Sequence, residues 1–131
     1  MSEENVEIVR RMYEAYLAGD TDQALTCFHP NVVADFRVRG DTGVRQGREA
    51  LNELIATWVD AWDDYSDRVD EIRDLGESVL VIATQSGRGK GSGLELTNQY
   101  AQLYELEDGQ ITSLTLYESP AKALEAAGLS E

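Results

Sequence analysis

The feature that most constrains the fold is a regular alternation of side chains between residues 94 and 106. Every second side chain is apolar, aromatic or an amide, while the positions between them are mainly polar. The first set consists of Leu94, Leu96, Asn98, Tyr100, Gln102, Tyr104 and Leu106. This period-two alternation predicts a long antiparallel strand with one covered face.

A hairpin is predicted to follow this strand, with a turn at 107–109 and a second strand from about 110 to 118. A two-residue loop would pair Leu106 with Ile111, whereas a three-residue loop would place Gly109 in the left-handed conformation. The three-residue loop gathers more apolar side chains on one face, so we predict that register. Its pairs are Tyr104/Thr112, Gln102/Leu114, Tyr100/Leu116 and Asn98/Glu118.

Three polar side chains interrupt the predicted inner face of the hairpin, namely Asn98, Gln102 and Glu118. Leaving a buried polar group without a partner costs about 1–3 kcal/mol. Either other protein groups satisfy these side chains, or the side chains line a cavity that holds water or a ligand. Both readings are open for the two amides, and a solvated strand end is the competing reading for Glu118.

The rest of the chain shows helical and strand periodicity in separate segments. The predicted helices are 3–18, 20–29, 48–63 and 121–127. The predicted strands before the hairpin are 32–38, 66–74 and 79–83, with a loop at 40–47. Helices gathered before a run of antiparallel strands indicate an α+β fold, with the helices laid over one curved face of the sheet.

Composition restricts the possible partners. The 131 residues predict a single domain, 1–131, and 25 acidic against 11 basic side chains give a net charge of −14. This excess of acid argues against nucleic acids and anionic membranes, because both are bound mainly through Lys and Arg. One Cys and one His exclude a disulfide framework and a His/Cys metal cluster. The sequence shows no signal peptide or membrane-spanning apolar run, so we expect a cytoplasmic protein.

Five short motifs resemble the SnoaL-like branch of the nuclear-transport-factor-2 (NTF2-like) superfamily. They are Gly19-Asp20, Phe28-His29-Pro30-Asn31-Val32, Gly47-Arg48-Glu49, Glu107-Asp108-Gly109-Gln110-Ile111 and the tail Ala123–Leu129. The resemblance implies an α+β cone, in which a curved, mostly antiparallel sheet wraps around a pocket and is covered by the N-terminal helices. It also implies a homodimer through the outer sheet face, where the predicted register places Leu103, Ile111 and Tyr117.

The resemblance does not carry over the chemistry of the superfamily's ketosteroid isomerases. Their catalytic Tyr, Asp base and protonated Asp align with Met12, Phe36 and Gln102 of this chain. Met and Phe can neither donate nor abstract a proton, whereas Gln102 can still donate a hydrogen bond to an oxyanion. Cyclase-like members typically carry an acidic residue near the end of the last strand, where this chain has Glu118 followed by Ser119.

Two functions follow as hypotheses. The first is a small-molecule enzyme without metal or cofactor that transfers protons on an apolar, oxygenated ring compound, with Glu118 or Tyr16 moving the proton and Gln102 and Asn98 holding oxygens. The predicted ligand-binding residues are Met12, Phe36, Trp58, Asn98, Tyr100, Tyr104 and Leu116. The second hypothesis is a non-catalytic ligand-binding or dimeric interaction module with the same fold.

Overall fold

The computed structural model describes residues 2–39 and 44–128, which form four α-helices, one 3-10 turn and six strands. The helices are α1 (Ser2–Leu17), α2 (Thr21–Leu25), α3 (Arg48–Asp60) and α4 (Pro120–Ala126), and the 3-10 turn is Arg37–Arg39. The strands are β1 (Phe28–Asp35), β2 (Val44–Gln46), β3 (Trp62–Asp74), β4 (Ser78–Gly89), β5 (Glu95–Glu107) and β6 (Gln110–Tyr117). Met1, 40–43 and 129–131, including the Leu129 end of the last motif, lie outside the described residues.

The six strands form one mixed sheet in the order β2-β1-β6-β5-β4-β3. Only the pairing of β1 with β6 is parallel, so the prediction of an α+β fold with a mostly antiparallel sheet is confirmed. The helices α1 and α3 contact the sheet on its inner side, and α4 packs against β5 and β6 on the outer side.

The first strand begins earlier than predicted. β1 starts at Phe28 rather than at residue 32, so the segment that the sequence suggested would end a helix is extended. The pairing of β1 with β6 is irregular between Phe28 and Val33. Pro30 lies in this gap and has no backbone N–H to donate, which fits an interrupted ladder. The predicted loop at 40–47 is also wrong in part, because residues 44–46 pair with β1 as β2.

The central apolar run predicted at 79–83 is buried on both faces of the sheet. Val79 and Val81 belong to the inner core, which they share with Val9 of α1 and Leu51 of α3. Leu80 and Ile82 alternate with them and belong to a smaller outer cluster. This cluster also contains Ala101 of β5, and Ala123 and Leu124 of α4 cover it. A strand covered on both sides needs no polar alternation, and this accounts for its continuous apolar sequence.

The predicted register of the β5–β6 hairpin is wrong. The loop has two residues, Asp108 and Gly109, with φ of 51° and 81°, and Leu106 pairs with Ile111. Positive φ at both loop residues is the type I′ geometry, whose twist matches that of the flanking strands. Glu105 pairs with Ser113 and Leu106 pairs with Ile111, so Thr112 has no partner on β5 and forms a β-bulge.

This bulge preserves the inner face despite the different register. Beyond it, Tyr104 pairs with Leu114 and Gln102 with Leu116, two positions away from the predicted partners. Since the side-chain period of a strand is two, a shift of two positions leaves each side chain on its predicted face. Ile111 lies before the bulge and is completely buried in the inner core.

The position of Ile111 changes the basis for a homodimer. Ile111 was expected on the outer face and lies on the inner one, while Leu103 and Tyr117 pack against the outer cluster beneath α4. Two of the three residues predicted for the outer face therefore lie there and Ile111 does not, and the homodimer itself stays a prediction. Within the described residues, no helix combines the length and apolarity required to span a membrane.

The outer face of β3 and β4 carries a compact polar network around Asp70. Its carboxylate accepts hydrogen bonds from Thr84 Oγ1 at 2.5 Å, Arg68 Nε at 2.7 Å and Gln99 Nε2 at 3.2 Å. The hydrogen bond from Thr84, followed by that from Arg68, lowers the pKa of Asp70 from 3.8 to about 2. These bonds stabilise the charged carboxylate and tie three neighbouring strands together.

We predict that Asp70→Asn lowers the free energy of unfolding at neutral pH and that this loss shrinks in acid. Because the folded pKa of about 2 lies below the ordinary value of 3.8, the carboxylate contributes stability above that value and loses it as pH falls toward about 2. Urea unfolding of the wild type and the variant, from neutral pH down to about pH 2, measures the difference in their free energies of unfolding. A difference that is constant or grows toward low pH would contradict the assignment.

We also predict that Gly109→Ala destabilises the hairpin by about 1–2 kcal/mol, because a β-carbon is strained in the left-handed region. No heavy atom lies within 4 Å of a β-carbon added at Gly109, so the cost comes from the backbone and not from a clash. The control is Asp108→Gly, which relieves the positive φ of the other loop residue and should not destabilise. Equal losses in thermal unfolding of the two variants would contradict this explanation.

Candidate functional site

A cavity of about 660 Å³ lies between the inner face of the sheet and the helices α1, α2 and α3. Eight aromatic side chains from α1, α3, β1, β3, β5 and the segment after β1 contribute to its wall. They are Tyr13, Tyr16, Phe28, Phe36, Trp58, Tyr65, Tyr100 and Tyr104. A concave space lined by apolar and aromatic side chains with a small number of polar groups is typical of small-molecule sites.

Most of the residues predicted from the sequence to contact a ligand line this cavity. Those that do are Met12, Tyr16, Phe36, Trp58, Tyr100, Gln102 and Tyr104. Helical periodicity places Met12 and Tyr16 on the same side of α1, and strand alternation does the same for the three residues of β5. Asn98, Leu116 and Glu118 are not among the residues that line the cavity.

Glu118 was expected to face inward, and this expectation is wrong. Its side chain is 63% exposed, and its Oε1 lies 3.7 Å from Nζ of Lys122. The paired part of β6 ends at Tyr117, and Ser119 already caps α4 by accepting a hydrogen bond from the backbone N–H of Lys122 at 3.3 Å. The strand alternation therefore stops before it reaches Glu118.

Asn98 and Leu116 belong to the packed sheet instead of the cavity. Asn98 Oδ1 accepts a hydrogen bond from Gln85 Nε2 at 3.1 Å. Leu116 is buried in the inner core and pairs with Gln102. Of the two readings that the sequence left open for the amides, Gln102 corresponds to the cavity-lining one, whereas Asn98 is a half-buried amide that is hydrogen-bonded within the sheet.

Gln102 forms a cluster with two tyrosines, Tyr13 of α1 and Tyr104 of β5. Both hydroxyl groups donate to Gln102 Oε1, Tyr104 at 2.6 Å and Tyr13 by a short hydrogen bond. The two tyrosine oxygens also lie 2.7 Å apart. Burial is the main cause that raises the pKa of both tyrosines well above 10, so both stay protonated and act as hydrogen-bond donors.

The number of protons in this cluster has a chemical consequence. The three residues make three contacts between oxygen atoms, but the two tyrosines supply only two phenolic protons. One of the three contacts therefore always lacks a proton. Gln102 Nε2 has no acceptor among the described residues, and a half-turn of the amide would direct its two N–H groups at the tyrosines. All three contacts would then be satisfied, and one phenolic proton would be available to an oxygen in the cavity.

The second polar group in the cavity is the carboxylate of Asp67 on β3. Tyr100 Oη lies 2.8 Å from Oδ1 and 2.7 Å from Oδ2 of Asp67, and Tyr65 Oη lies 3.4 Å from Oδ2. Burial, followed by the charges of neighbouring groups that include Asp67, raises the pKa of Tyr100. Tyr100 is therefore protonated and donates to the carboxylate.

A buried amide, Gln85 of β4, connects the wall of the cavity across three elements. Its Oε1 accepts from Trp58 Nε1 of α3 at 3.0 Å and from Tyr65 Oη of β3 at 3.1 Å. Its Nε2 donates to Asn98 of β5. Only 5% of Gln85 is exposed, and its hydrogen bonds hold two aromatic wall residues in place.

Sequence reasoning missed Tyr13, Tyr65, Asp67 and Gln85 as site residues. Tyr65, Asp67 and Val69 occupy alternate positions in the sequence, which could have indicated a shared face, and in the structure they are less exposed than the residues between them. β3 is rich in polar residues and lies at the edge of the sheet, but its inner face still lines the cavity. Within residues 2–39 and 44–128, no group of three His, Cys, Asp or Glu side chains has a geometry that could hold a metal ion.

Comparisons with known proteins agree with this architecture. The family model of the SnoaL-like domain matches residues 9–114. No curated protein matches the sequence significantly.

Solved structures with the same fold have low sequence identity to this chain. A candidate SnoaL-like polyketide cyclase from Jannaschia sp. CCS1 superposes with a TM-score of 0.77 at 20% identity, covering 96% of this chain and 92% of that one. A protein with a ketosteroid isomerase-like fold from Catenulispora acidiphila, in complex with trimethylamine, gives 0.72 at 22% identity, with 95% and 94% covered. TerC co-crystallised with polyporic acid gives 0.74 at 18% identity, with 93% and 96% covered.

At these identities the structural likeness shows the fold alone, whereas the family model extends over most of the chain. The chain therefore belongs to the SnoaL-like domain family and has the NTF2-like fold that its five motifs predicted.

Proposed function

We propose that this protein is a cofactor-independent enzyme that transfers a proton on an apolar, oxygenated ring compound. The observation that carries the proposal is the presence of two different polar groups in one aromatic cavity. Asp67 supplies a carboxylate on β3, and Tyr13, Gln102 and Tyr104 supply hydroxyl and amide groups from α1 and β5. The first suits a proton acceptor, and the second suits a binding site for an oxygen atom.

Asp67 takes the role of general base that Glu118 was expected to have. The hydrogen bond from Tyr100 orients Asp67, and a carboxylate has about four lone-pair positions with which to accept hydrogen bonds or a proton. An acidic C–H next to a substrate carbonyl would give its proton to Asp67. The electron pair of that C–H bond would then move onto the carbonyl oxygen.

The Tyr13–Gln102–Tyr104 cluster would stabilise the negative charge on that oxygen. Its tyrosines stay protonated because burial raises the pKa of each, and a donor aimed at developing charge is worth most where water is excluded. Tyr16, also predicted from the sequence, lines the same cavity and would help to position the substrate. The aromatic walls formed by Phe36 and Trp58 would hold its apolar rings.

Two structures with the same fold support a small-molecule ligand. One was solved in complex with trimethylamine and the other with polyporic acid. The volume of about 660 Å³ in the present cavity lies within the range of small-molecule pockets, which is about 300–1,000 Å³.

A second function, a ligand-binding module without catalysis, is favoured by one specific contact. Tyr100 Oη is within hydrogen-bond distance of both Asp67 oxygens, so the carboxylate is already engaged by a hydrogen bond inside the protein. The positions that align with catalytic residues of the isomerases hold Met12 and Phe36, which carry no proton-transfer group. The two functions differ in whether a bound ketone loses a proton.

We predict that the protein accelerates hydrogen–deuterium exchange at the acidic C–H positions of a bicyclic ketone such as 2-tetralone. Asp67→Asn should reduce the catalysed exchange by about 10²–10⁴-fold, the usual contribution of a general base, because an amide cannot accept the proton. Exchange in heavy water, followed by NMR against a buffer blank, measures the rate.

Asp70→Asn is the matched control for this test. It removes the same charge from the same strand, but Asp70 lies on the outer face of the sheet, so the catalysed exchange should be unchanged. Ketone binding without exchange above the buffer rate, in the wild type as in both variants, would favour the binding module and exclude Asp67 as a base.

A further inference from the structure

The side-chain amide of Gln102 has one end that the protein itself does not use. Its Oε1 accepts hydrogen bonds from the hydroxyl groups of Tyr13 and Tyr104, whereas its Nε2 has no acceptor among the described residues. Gln102 lines the cavity, and its Nε2 is not enclosed by other atoms, so a ligand can reach it. A primary amide carries two N–H groups on one side and a carbonyl oxygen on the other, and a half-turn therefore exchanges donors for an acceptor.

In the orientation that the structure shows, the cluster offers donors to a ligand. Both phenolic protons point to Gln102 Oε1, so the oxygens of Tyr13 and Tyr104 face each other at 2.7 Å without a proton between them. The two N–H groups of Gln102 remain for the ligand. A carbonyl oxygen has lone pairs and no proton, so it can accept both of these hydrogen bonds.

The turned orientation offers a donor and an acceptor together. The N–H groups of Gln102 then donate to the oxygens of Tyr13 and Tyr104, and one phenolic proton fills the contact between the two tyrosines. The other phenolic proton and Gln102 Oε1 remain for the ligand. A hydroxyl group can donate to the amide oxygen while it accepts from the tyrosine, so this orientation suits an alcohol or an enol.

The ligand decides which orientation leaves no group without a partner. With a carbonyl in the first orientation, or a hydroxyl in the second, every N–H, O–H and C=O group of the cluster is hydrogen-bonded. Tyr13 and Tyr104 are 5% and 2% exposed, so the protein encloses both of these side chains. Because a buried polar group without a partner is costly, the orientation that matches the ligand is favoured.

We propose that Gln102 adapts this site to a ligand oxygen with or without a proton, so that the cavity binds both the keto and the hydroxyl form of a ring compound. The inference rests on the proposed function and narrows its substrate class to ring ketones with an accessible enol form. The two forms are isomers: a proton leaves carbon and another is added to oxygen, the C–H electron pair forms the C=C bond, and an electron pair of the C=O bond holds the new proton. A turn of one amide keeps that oxygen hydrogen-bonded in both forms.

The test compares two probes with the same carbon skeleton, 2-acetylnaphthalene, which only accepts hydrogen bonds, and 1-(2-naphthyl)ethanol, which also donates. Naphthalene, which has no oxygen, is the reference for changes in cavity shape. Isothermal titration calorimetry measures each Kd. We expect the wild type to bind the ketone and the alcohol within about threefold of each other, because each finds a matching orientation of the amide.

Gln102→Glu presents only an acceptor, because an ionised carboxylate takes both phenolic protons and has no N–H group. At about pH 9, where the introduced carboxyl group is ionised, the ketone should lose about tenfold in affinity relative to naphthalene. The alcohol should lose no affinity relative to naphthalene, since it can still donate to the carboxylate.

Asn98→Asp is the matched control for this variant. It makes the same change from amide to carboxylate on the same strand, at a residue that does not line the cavity. It also keeps the oxygen that accepts a hydrogen bond from Gln85 Nε2. The ratio of ketone to alcohol affinity should therefore equal that of the wild type.

NMR of the wild type tests the same proposal if Gln102→Glu does not fold. With the alcohol bound, nuclear Overhauser effects should connect the amide protons of Gln102 to the ring protons of Tyr13 and Tyr104. With the ketone bound, they should connect the amide protons to the methyl group of the ligand.

Equal losses of ketone and alcohol affinity in Gln102→Glu, an unchanged ketone affinity, or amide protons that contact the tyrosines with both ligands would overturn the proposal. These readouts do not depend on catalysis. The expected binding pattern without catalysed exchange would refute the proposed enzyme and leave the adaptation of Gln102 standing. Catalysed exchange without the pattern would do the reverse, and no binding of either oxygenated probe would count against both.

Discussion

The structure depends on one constraint, that a hydroxyl or carboxylate enclosed by apolar side chains must be hydrogen-bonded. The inner side of the sheet combines an aliphatic core with tyrosines, and each of their hydroxyl groups has a polar partner. Tyr13 and Tyr104 share Gln102, and Tyr100 is paired with Asp67. Because these contacts join α1 to β5 and β5 to β3, the polar groups also determine how the helix and the strands are placed around the cavity.

The same contacts give the cavity its chemical character. A group that is already hydrogen-bonded inside the protein is oriented, and an oriented group can act on a ligand without first rearranging. The Tyr13–Gln102–Tyr104 cluster is a protein-internal network that also borders the cavity, and so is the Asp67–Tyr100 pair. Gln85 extends this arrangement by fixing Trp58 and Tyr65, two residues of the wall, through hydrogen bonds to a single amide oxygen.

Alternation was sufficient to predict which residues of β5 face the sheet interior, but not which of them reach the cavity. Gln102 and Asn98 have the same sequence signal, four residues apart on one face of β5. Gln102 meets Tyr13 of α1, whereas Asn98 meets Gln85 of the neighbouring strand. The difference is set by what lies above each position, and no local pattern carries that information. Asp67 was missed for a different reason. Its position alternates with Tyr65 and Val69, but the many polar residues of the strand gave no indication that one of its faces lines a cavity.

The sequence by itself determined the α+β class, the mostly antiparallel sheet and the two faces of β5, because these follow from periodicities that act over neighbouring residues. Only the tertiary structure decided the register of the hairpin, the outward position of Glu118 and the meeting of Tyr13, Gln102 and Tyr104. A turn type and a bulge differ by small local energies, and their choice depends on the core that the two strands must share. Contacts between residues 13 and 102 depend on how a helix packs across a sheet, which is a property of the whole fold.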